Sequence, residues 1–241
     1  MATVILVHGG WSAGWVWKYN VDALKKAGYN VIAVDLPGHG DNHQEKLTQV
    51  HLNDYVEHIE GIIKDIDDDI ILAAHSMTGM VIAQIAENLG EKIKKLFFIA
   101  AFMPALDTKN MLGYMKEDPW SCVGEKTIMP LENGMLTFVP EYLRNLAFGL
   151  CDDEKYESAL RNLQPETPAM WGDNITLGDN YKKVPKYYFH TLKDNCCTYY
   201  MQRVMVKETP VVKQYYLDAD HFCMFSASKE LNESLIDALS R

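Results

Sequence analysis

Ile70-Ile71-Leu72-Ala73-Ala74-His75-Ser76-Met77-Thr78-Gly79 is the stretch that decides the fold. An apolar strand ends in a compact turn and passes straight into a helix carrying Val81, Ile82, Ile85, Ala86 and Leu89, with Gly90 placed to stop it. A Ser at such a junction sits on strained backbone, with its hydroxyl held out over the sheet edge. The next N–H lies at a helix N-terminus, where negative charge is favoured. Ser76 is therefore the candidate nucleophile. The strict Gly-x-Ser-x-Gly form is not met, because Ala74 and Thr78 stand where glycines are usual. Ala74 costs little. The β-branch of Thr78 is expected to crowd the strand–helix approach, although Gly79 follows at once. On the turn alone Ser76 could equally be an N-cap, so its partners must decide.

Working outward, short β-rich runs at 4–7, 31–34, 70–74, 96–100, 186–189 and 211–217 alternate with helical stretches. The helices are expected near 16–27, 54–64, 76–89, 199–207 and 228–239. The run at 4–7 shows no alternation, as suits a strand buried on both faces. Strand–helix alternation implies βαβ units and an α/β fold: a mostly parallel sheet of about six strands with helices on both faces. The segment 104–183 breaks the rhythm. It is rich in Met and aromatics (Met111, Tyr114, Met115, Trp120, Met129, Met135, Phe138, Trp171) and holds two helix-like stretches, 140–150 and 153–163. It reads as a small helical cap inserted before the last two strands, over the carboxyl edge where ligands of open α/β sheets bind. The core is then 1–103 with 184–241. Cap residues can line a pocket or merely hold the cap together, since Met fills gaps as readily as it lines sites.

A nucleophilic Ser needs a base within hydrogen-bond reach and a third group to orient that base. In this architecture the chain order is Ser, acid, His, each past the carboxyl end of a strand. His221, in the loop after the last strand, fits the base. His39, His43, His51 and His58 precede Ser76 in or near a polar segment and are read as solvated or capping. His75 is expected to point away from Ser76, and His190 to be mainly structural. Asp194, just past the strand at 186–189, fits the acid. Asp218 and Asp220 lie too close to His221 in one loop, and Asp65, Asp67, Asp68 and Asp69 lie at the wrong sheet edge. The oxyanion hole would take the amide of Met77 and that of Gly10, in His8-Gly9-Gly10-Trp11 after the first strand.

The chain has 241 residues, 48% hydrophobic and 23% charged, an ordinary globular balance for one α/β domain. A formal net charge of −10 argues against nucleic acid as a partner. No basic leader precedes the first apolar run, and no apolar stretch approaches membrane-span length. Five cysteines, an odd number, are expected as reduced thiols in a cytoplasmic protein, with Cys196-Cys197 structural.

Several motifs together resemble the plant methylesterase and hydroxynitrile lyase group of the α/β-hydrolases, which includes bacterial esterases. They are Val7-His8-Gly9-Gly10 with Trp15 and Trp17, Asp35-Leu36-Pro37-Gly38-His39-Gly40, His75-Ser76-Met77, Trp120, Leu150-Cys151, Asp194 and Asp220-His221. The resemblance runs nearly end to end. It implies an α/β-hydrolase fold, a Ser76–His221–Asp194 triad, oxyanion donors at Gly10 and Met77, and no cofactor or metal. It also implies a substrate bordered by Gly9, Trp11, Trp120 and Phe222. Lyase members carry Thr where Gly9 stands, and where Phe222 stands they carry a Lys that handles cyanide. The expected activity is therefore hydrolysis of a small carboxylic ester through an acyl-enzyme. The alternatives are a lyase or other acyl transfer on the same triad, or a low-turnover ligand-binding protein. A small-molecule ester is the expected partner, with no membrane; a homodimer remains an option.

Overall fold

The computed structural model of the chain describes residues 2–42, 49–106 and 109–241. The strands are β1 (Ala2–Val7), β2 (Asn30–Val34), β3 (Asp69–His75), β4 (Ile93–Ile99), β5 (Ile128–Pro130), β6 (Leu136–Phe138), β7 (Lys186–Thr191) and β8 (Lys213–Leu217). The α-helices through the cap are α1 (Lys18–Lys26), α2 (Leu52–Lys64), α3 (Gly79–Leu89), α4 (Met111–Glu117), α5 (Pro140–Ala147), α6 (Asp153–Leu160) and α7 (Asp179–Lys183). They are followed by α8 (Tyr199–Glu208), α9 (Cys223–Ser226) and α10 (Ser228–Ser240). His43 lies outside the described residues.

Six strands form one parallel sheet in the order β2-β1-β3-β4-β7-β8. Apolar side chains alternate between its two faces, which is why the central strands read as unbroken apolar runs. Ile5, Val7, Ile70, Leu72, Leu96 and Phe98 meet α2, α3 and α8 on one face. Val4, Leu6, Ile71, Ala73, Phe97 and Ile99 meet α1, α9 and α10 on the other. The chain leaves β1 for β2 on one side and resumes with β3 on the other. Between β1 and β3 the order reverses, and a crevice opens at the carboxyl ends there.

Between β4 and β7 the insertion, expected to be mostly helical, holds α4 to α7 and also an antiparallel hairpin, β5–β6. Its turn contains Asn133-Gly134, with Gly134 at φ 82°, a left-handed conformation that glycine adopts without strain. The backbone of Glu166 pairs with Leu136, extending this hairpin by one bridge. The last part of the insertion is tied to the core: Glu87 of α3 accepts the amides of Gly178 and Tyr181.

Candidate active site

Ser76 ends β3 with φ 57°, in the left-handed region that a residue with a side chain seldom enters. The turn is held from three sides. The Phe102 amide donates to the Ser76 carbonyl at 3.0 Å. The Thr78 hydroxyl donates to His75 O at 2.9 Å and reaches Val7 O at 3.4 Å. A Cβ at Gly79 would stand 2.2 Å from Phe102 O, so the segment after β4 approaches the helix start closely at Gly79. The crowding expected of Thr78 does not occur, because its hydroxyl folds back onto the strand ends.

Ser76 Oγ lies 3.0 Å from His221 Nε2, and His221 Nδ1 lies 2.8 Å from Asp194 Oδ2. A carboxylate can only accept, so Nδ1 carries the hydrogen and Nε2 is left to receive the Ser proton. Asp194 is 5% exposed and well satisfied. Oδ1 accepts the amides of Cys196 and Cys197 at 2.7 and 3.1 Å, and Oδ2 accepts the Thr191 hydroxyl at 2.9 Å. The Cys196-Cys197 backbone thus cradles the acid, while both side chains border the cavity. Burial pushes both thiols well above their ordinary pKa. Ligand atoms of Asp194, Cys196 and His221 lie within 4.8 Å of one another. Both His221 nitrogens are already engaged, by Asp194 and Ser76.

His75 does not simply turn away from the site. Its Nε2 donates to His221 O at 2.8 Å and its ring packs 4.5 Å from the His221 ring. Burial, then the neighbouring His221, lowers its pKa well below the ordinary value. His190 is buried and bonds Gln214. His51, at the N-cap of α2, faces Asp173.

The loop after β1 is set from beneath. Gly9 O accepts hydrogen bonds from His8 Nδ1 at 2.8 Å and from the Ser12 hydroxyl at 2.9 Å. Gly9 O and the Gly10 N–H belong to one planar peptide, so pinning the carbonyl downward aims the amide the opposite way. Gly10 borders the cavity beside Ser76. The Met77 amide lies in the first helical turn, where N–H groups have no intrahelical acceptor. A Cβ at Gly9 would strike His75 Nδ1 at 2.7 Å and the Ser76 Cβ at 2.8 Å. Gly9 therefore serves close packing behind the nucleophile and does not border the cavity.

A cavity lies over Ser76. Trp11, Phe102, Met111, Met115, Phe138 and Trp171 form most of its wall, with Phe222 beside His221. Among the described residues no Lys, Arg, Asp or Glu borders it. Trp11 packs on Phe138 at 4.4 Å and against Trp171 at 5.7 Å. Phe222 is stacked on Phe148 at 4.3 Å. Trp120, expected to face the substrate, is 70% exposed and does not border the cavity. Its turn is fastened by Asp118 to Thr198 and by the Cys122 amide to Asn195 O, and the indole stands outside. Tyr114, Met129 and Met135 likewise stay out of the wall.

One buried group had no counterpart in the sequence-based expectations. Glu166, in the cap, is 0% exposed and meets His39 Nε2 at 3.0 Å and the Trp11 amide at 3.1 Å. His39, expected to be solvated or capping, is 1% exposed. Burial alone would lower its pKa. The charge and hydrogen bond of Glu166 outweigh burial, and the pKa is raised. A Glu in the loop Gln164-Pro165-Glu166-Thr167-Pro168 carries no local mark of burial.

The alpha/beta hydrolase family matches residues 4–234. Methylesterase 9 of Arabidopsis thaliana is 30% identical over 253 residues, covering 98% of this chain and 97% of that one. Methylesterase 7 of the same plant is 31% identical over 250 residues, covering 97% and 94%. Among solved structures, tomato methylketone synthase I in complex with 2-tridecanone superposes with a TM-score of 0.88 at 21% identity, covering 99% of this chain and 98% of that one. At that identity the likeness concerns fold alone.

Proposed function

The chain belongs to the alpha/beta hydrolase family, in its methylesterase-like group, and we propose that it hydrolyses small uncharged carboxylic esters with Ser76 as nucleophile. Ser76 Oγ attacks the ester carbonyl while His221 Nε2 takes its proton. Asp194 holds the His221 tautomer and stabilises the imidazolium that forms. The Gly10 and Met77 amides receive the developing oxyanion. His221 returns the proton to the leaving alcohol, and water reverses the sequence to release the acid. The observation that carries this proposal is the continuous Ser76–His221–Asp194 relay, at 3.0 and 2.8 Å, opening onto an apolar cavity. The apolar residues of the described wall favour a neutral ester over the carboxylate it releases. Aromatic surfaces in that wall suit a small apolar or aromatic acyl group.

Cyanohydrin cleavage is not favoured, because apolar Phe222 stands beside His221 where a cation would be needed for a cyanide leaving group. A reducing compartment such as the cytoplasm is the proposed setting, supported by five free cysteines. No helix among the described residues is long and apolar enough to cross a membrane.

The test is a panel of esters varied separately in acyl and alcohol parts, run beside Ser76→Ala. Turnover of neutral short or aromatic esters, with kcat reduced about a million-fold in the variant, is the expected result. Wild-type protein inert toward every ester, or Ser76→Ala as active as wild type, would refute the proposal.

A further inference from the structure

Glu166 is a fully buried carboxylate outside the triad, and its position explains how the loop after β1 is held. Two donors meet each of its oxygens. Oε2 accepts the Trp11 amide at 3.1 Å and His39 Nε2 at 3.0 Å; Oε1 accepts the Thr167 amide at 2.9 Å and the Tyr55 hydroxyl at 3.4 Å. His39 Nδ1 faces Pro37 O at 3.2 Å. Both ring nitrogens of His39 thus face oxygens that accept, which an imidazolium satisfies and a neutral ring cannot. The pair is a buried His39⁺–Glu166⁻ contact, its carboxylate from the cap and its imidazolium from the core.

Trp11 is the residue this contact restrains. Its φ of 58° is left-handed, a conformation a residue with a side chain keeps only when its surroundings impose it. Every polar atom of Trp11 is held by the cap. The amide donates to Glu166, the carbonyl accepts the Gln164 amide at 2.9 Å, and the indole donates to Leu136 O at 3.0 Å. Next to it, Gly9-Gly10 has no side chain to restrict its torsions. The Gly9–Gly10 peptide is fixed from the core through His8 and Ser12. Only the Glu166 contact fixes the following Gly10–Trp11 peptide by its N–H. A Cβ at Gly10 would lie 3.2 Å from Glu166 Oε2, so the carboxylate also packs on the Gly10 Cα.

We infer that Glu166, with its charge balanced by His39, is a positioning residue for the oxyanion hole: through the Trp11 amide and its packing on Gly10 it fixes the far side of Gly10 from the cap, completing the restraint that His8 and Ser12 place on the Gly10 N–H from the core. This inference rests on the serine-hydrolase reading above. Its effect is specific to the tetrahedral state, because an oxyanion donor strengthens its bond as charge develops. The Trp11 indole in the cavity wall keeps its own bond to Leu136 O, so ground-state binding should change less than the tetrahedral state.

Glu166→Gln and His39→Gln are compared with wild type on the best ester of the panel. Measured alongside are the affinity for a trifluoromethyl ketone, which forms a tetrahedral adduct on Ser76, and the Tm. The expected result is kcat down about 10- to 100-fold with KM nearly constant, and trifluoromethyl ketone affinity reduced by a similar factor. Glu166→Asp, which keeps the charge, should recover part of both losses. Folded variants with lower Tm but wild-type kcat would overturn the inference, as would a rise in KM at constant kcat. Failure of both Gln variants to fold would overturn it too, assigning the pair to core stability. An inert wild-type protein would refute the hydrolase proposal itself, so the two failures are told apart.

Discussion

Ser76 and His221 form a working pair only because Asp194 dictates which His221 nitrogen carries the hydrogen. Asp194→Asn presents a donor as readily as an acceptor and admits the wrong tautomer, so kcat should fall about 10⁴-fold with the fold intact. Steady-state kinetics beside circular dichroism would check this, and a loss below ten-fold would contradict the assigned role. The other histidines make opposite contributions to stability. His39 has a raised pKa, so its pairing with Glu166 stabilises fully below the ordinary histidine range and is lost as pH rises through the raised value. Asp35 reinforces the effect of Glu166 on His39. His8 and His75 have lowered pKa values, His8 through burial and then His39, His75 through burial and then His221. The unfolded chain takes up their protons first, so stability falls as pH drops below the ordinary value of 6.5. Thermal unfolding from about pH 5 to about pH 8, below the range where the unfolded chain's thiols ionise, should show losses on both flanks. His39→Gln should keep the acid loss and lack the alkaline one; an unchanged alkaline flank would contradict the charged pair. Chain order and strand ends were enough to mark Ser76, Asp194 and His221 in the sequence. Glu166, His39 and Trp120 were not legible, because whether a polar or aromatic side chain is inside depends on neighbours far away in the chain.

At the scale of elements, the β3–α3 turn separates two kinds of small residue. Gly79 is required by space, since its Cβ would stand 2.2 Å from a backbone oxygen. Gly79→Ala should destabilise by about 1–3 kcal/mol, although alanine is the better helix former by about 1 kcal/mol. Thr78→Ala removes a hydroxyl that bonds His75 O, and should cost only about 1 kcal/mol with kcat nearly unchanged. Urea titrations of both variants would check the order, and a Thr78 variant less stable than the Gly79 variant would contradict it. The buried parallel strands were readable because apolar runs of strand length need two covered faces. The hairpin β5–β6 was missed because its strands have three residues each and one ends in Pro130. Asn133-Gly134 was the available signal, a turn pair suited to left-handed backbone.

Across the whole molecule, the sheet supplies the relay and the cap supplies the wall of the site. Trp171 and Phe138, both from the cap, pack on or near Trp11 of the core loop, so acyl preference and catalytic geometry are joined at one residue. Trp171→Ala should enlarge the cavity and shift kcat/KM toward bulkier acyl groups by about ten-fold; a parallel loss across the ester panel would contradict that placement. The cap's general place over the sheet edge was legible from its length and composition. Which of its aromatics face inward was not, since that depends on how the hairpin and the 164–167 segment pack together. The central claim, that Ser76 is the nucleophile, is tested most directly by labelling with a fluorophosphonate and locating the adduct by peptide mass spectrometry. The account predicts a single phosphonyl group on Ser76, absent in Ser76→Ala and slowed sharply in a folded variant lacking His221. A wild-type protein that stays unlabelled, or one labelled at another residue while still hydrolysing esters, would contradict it.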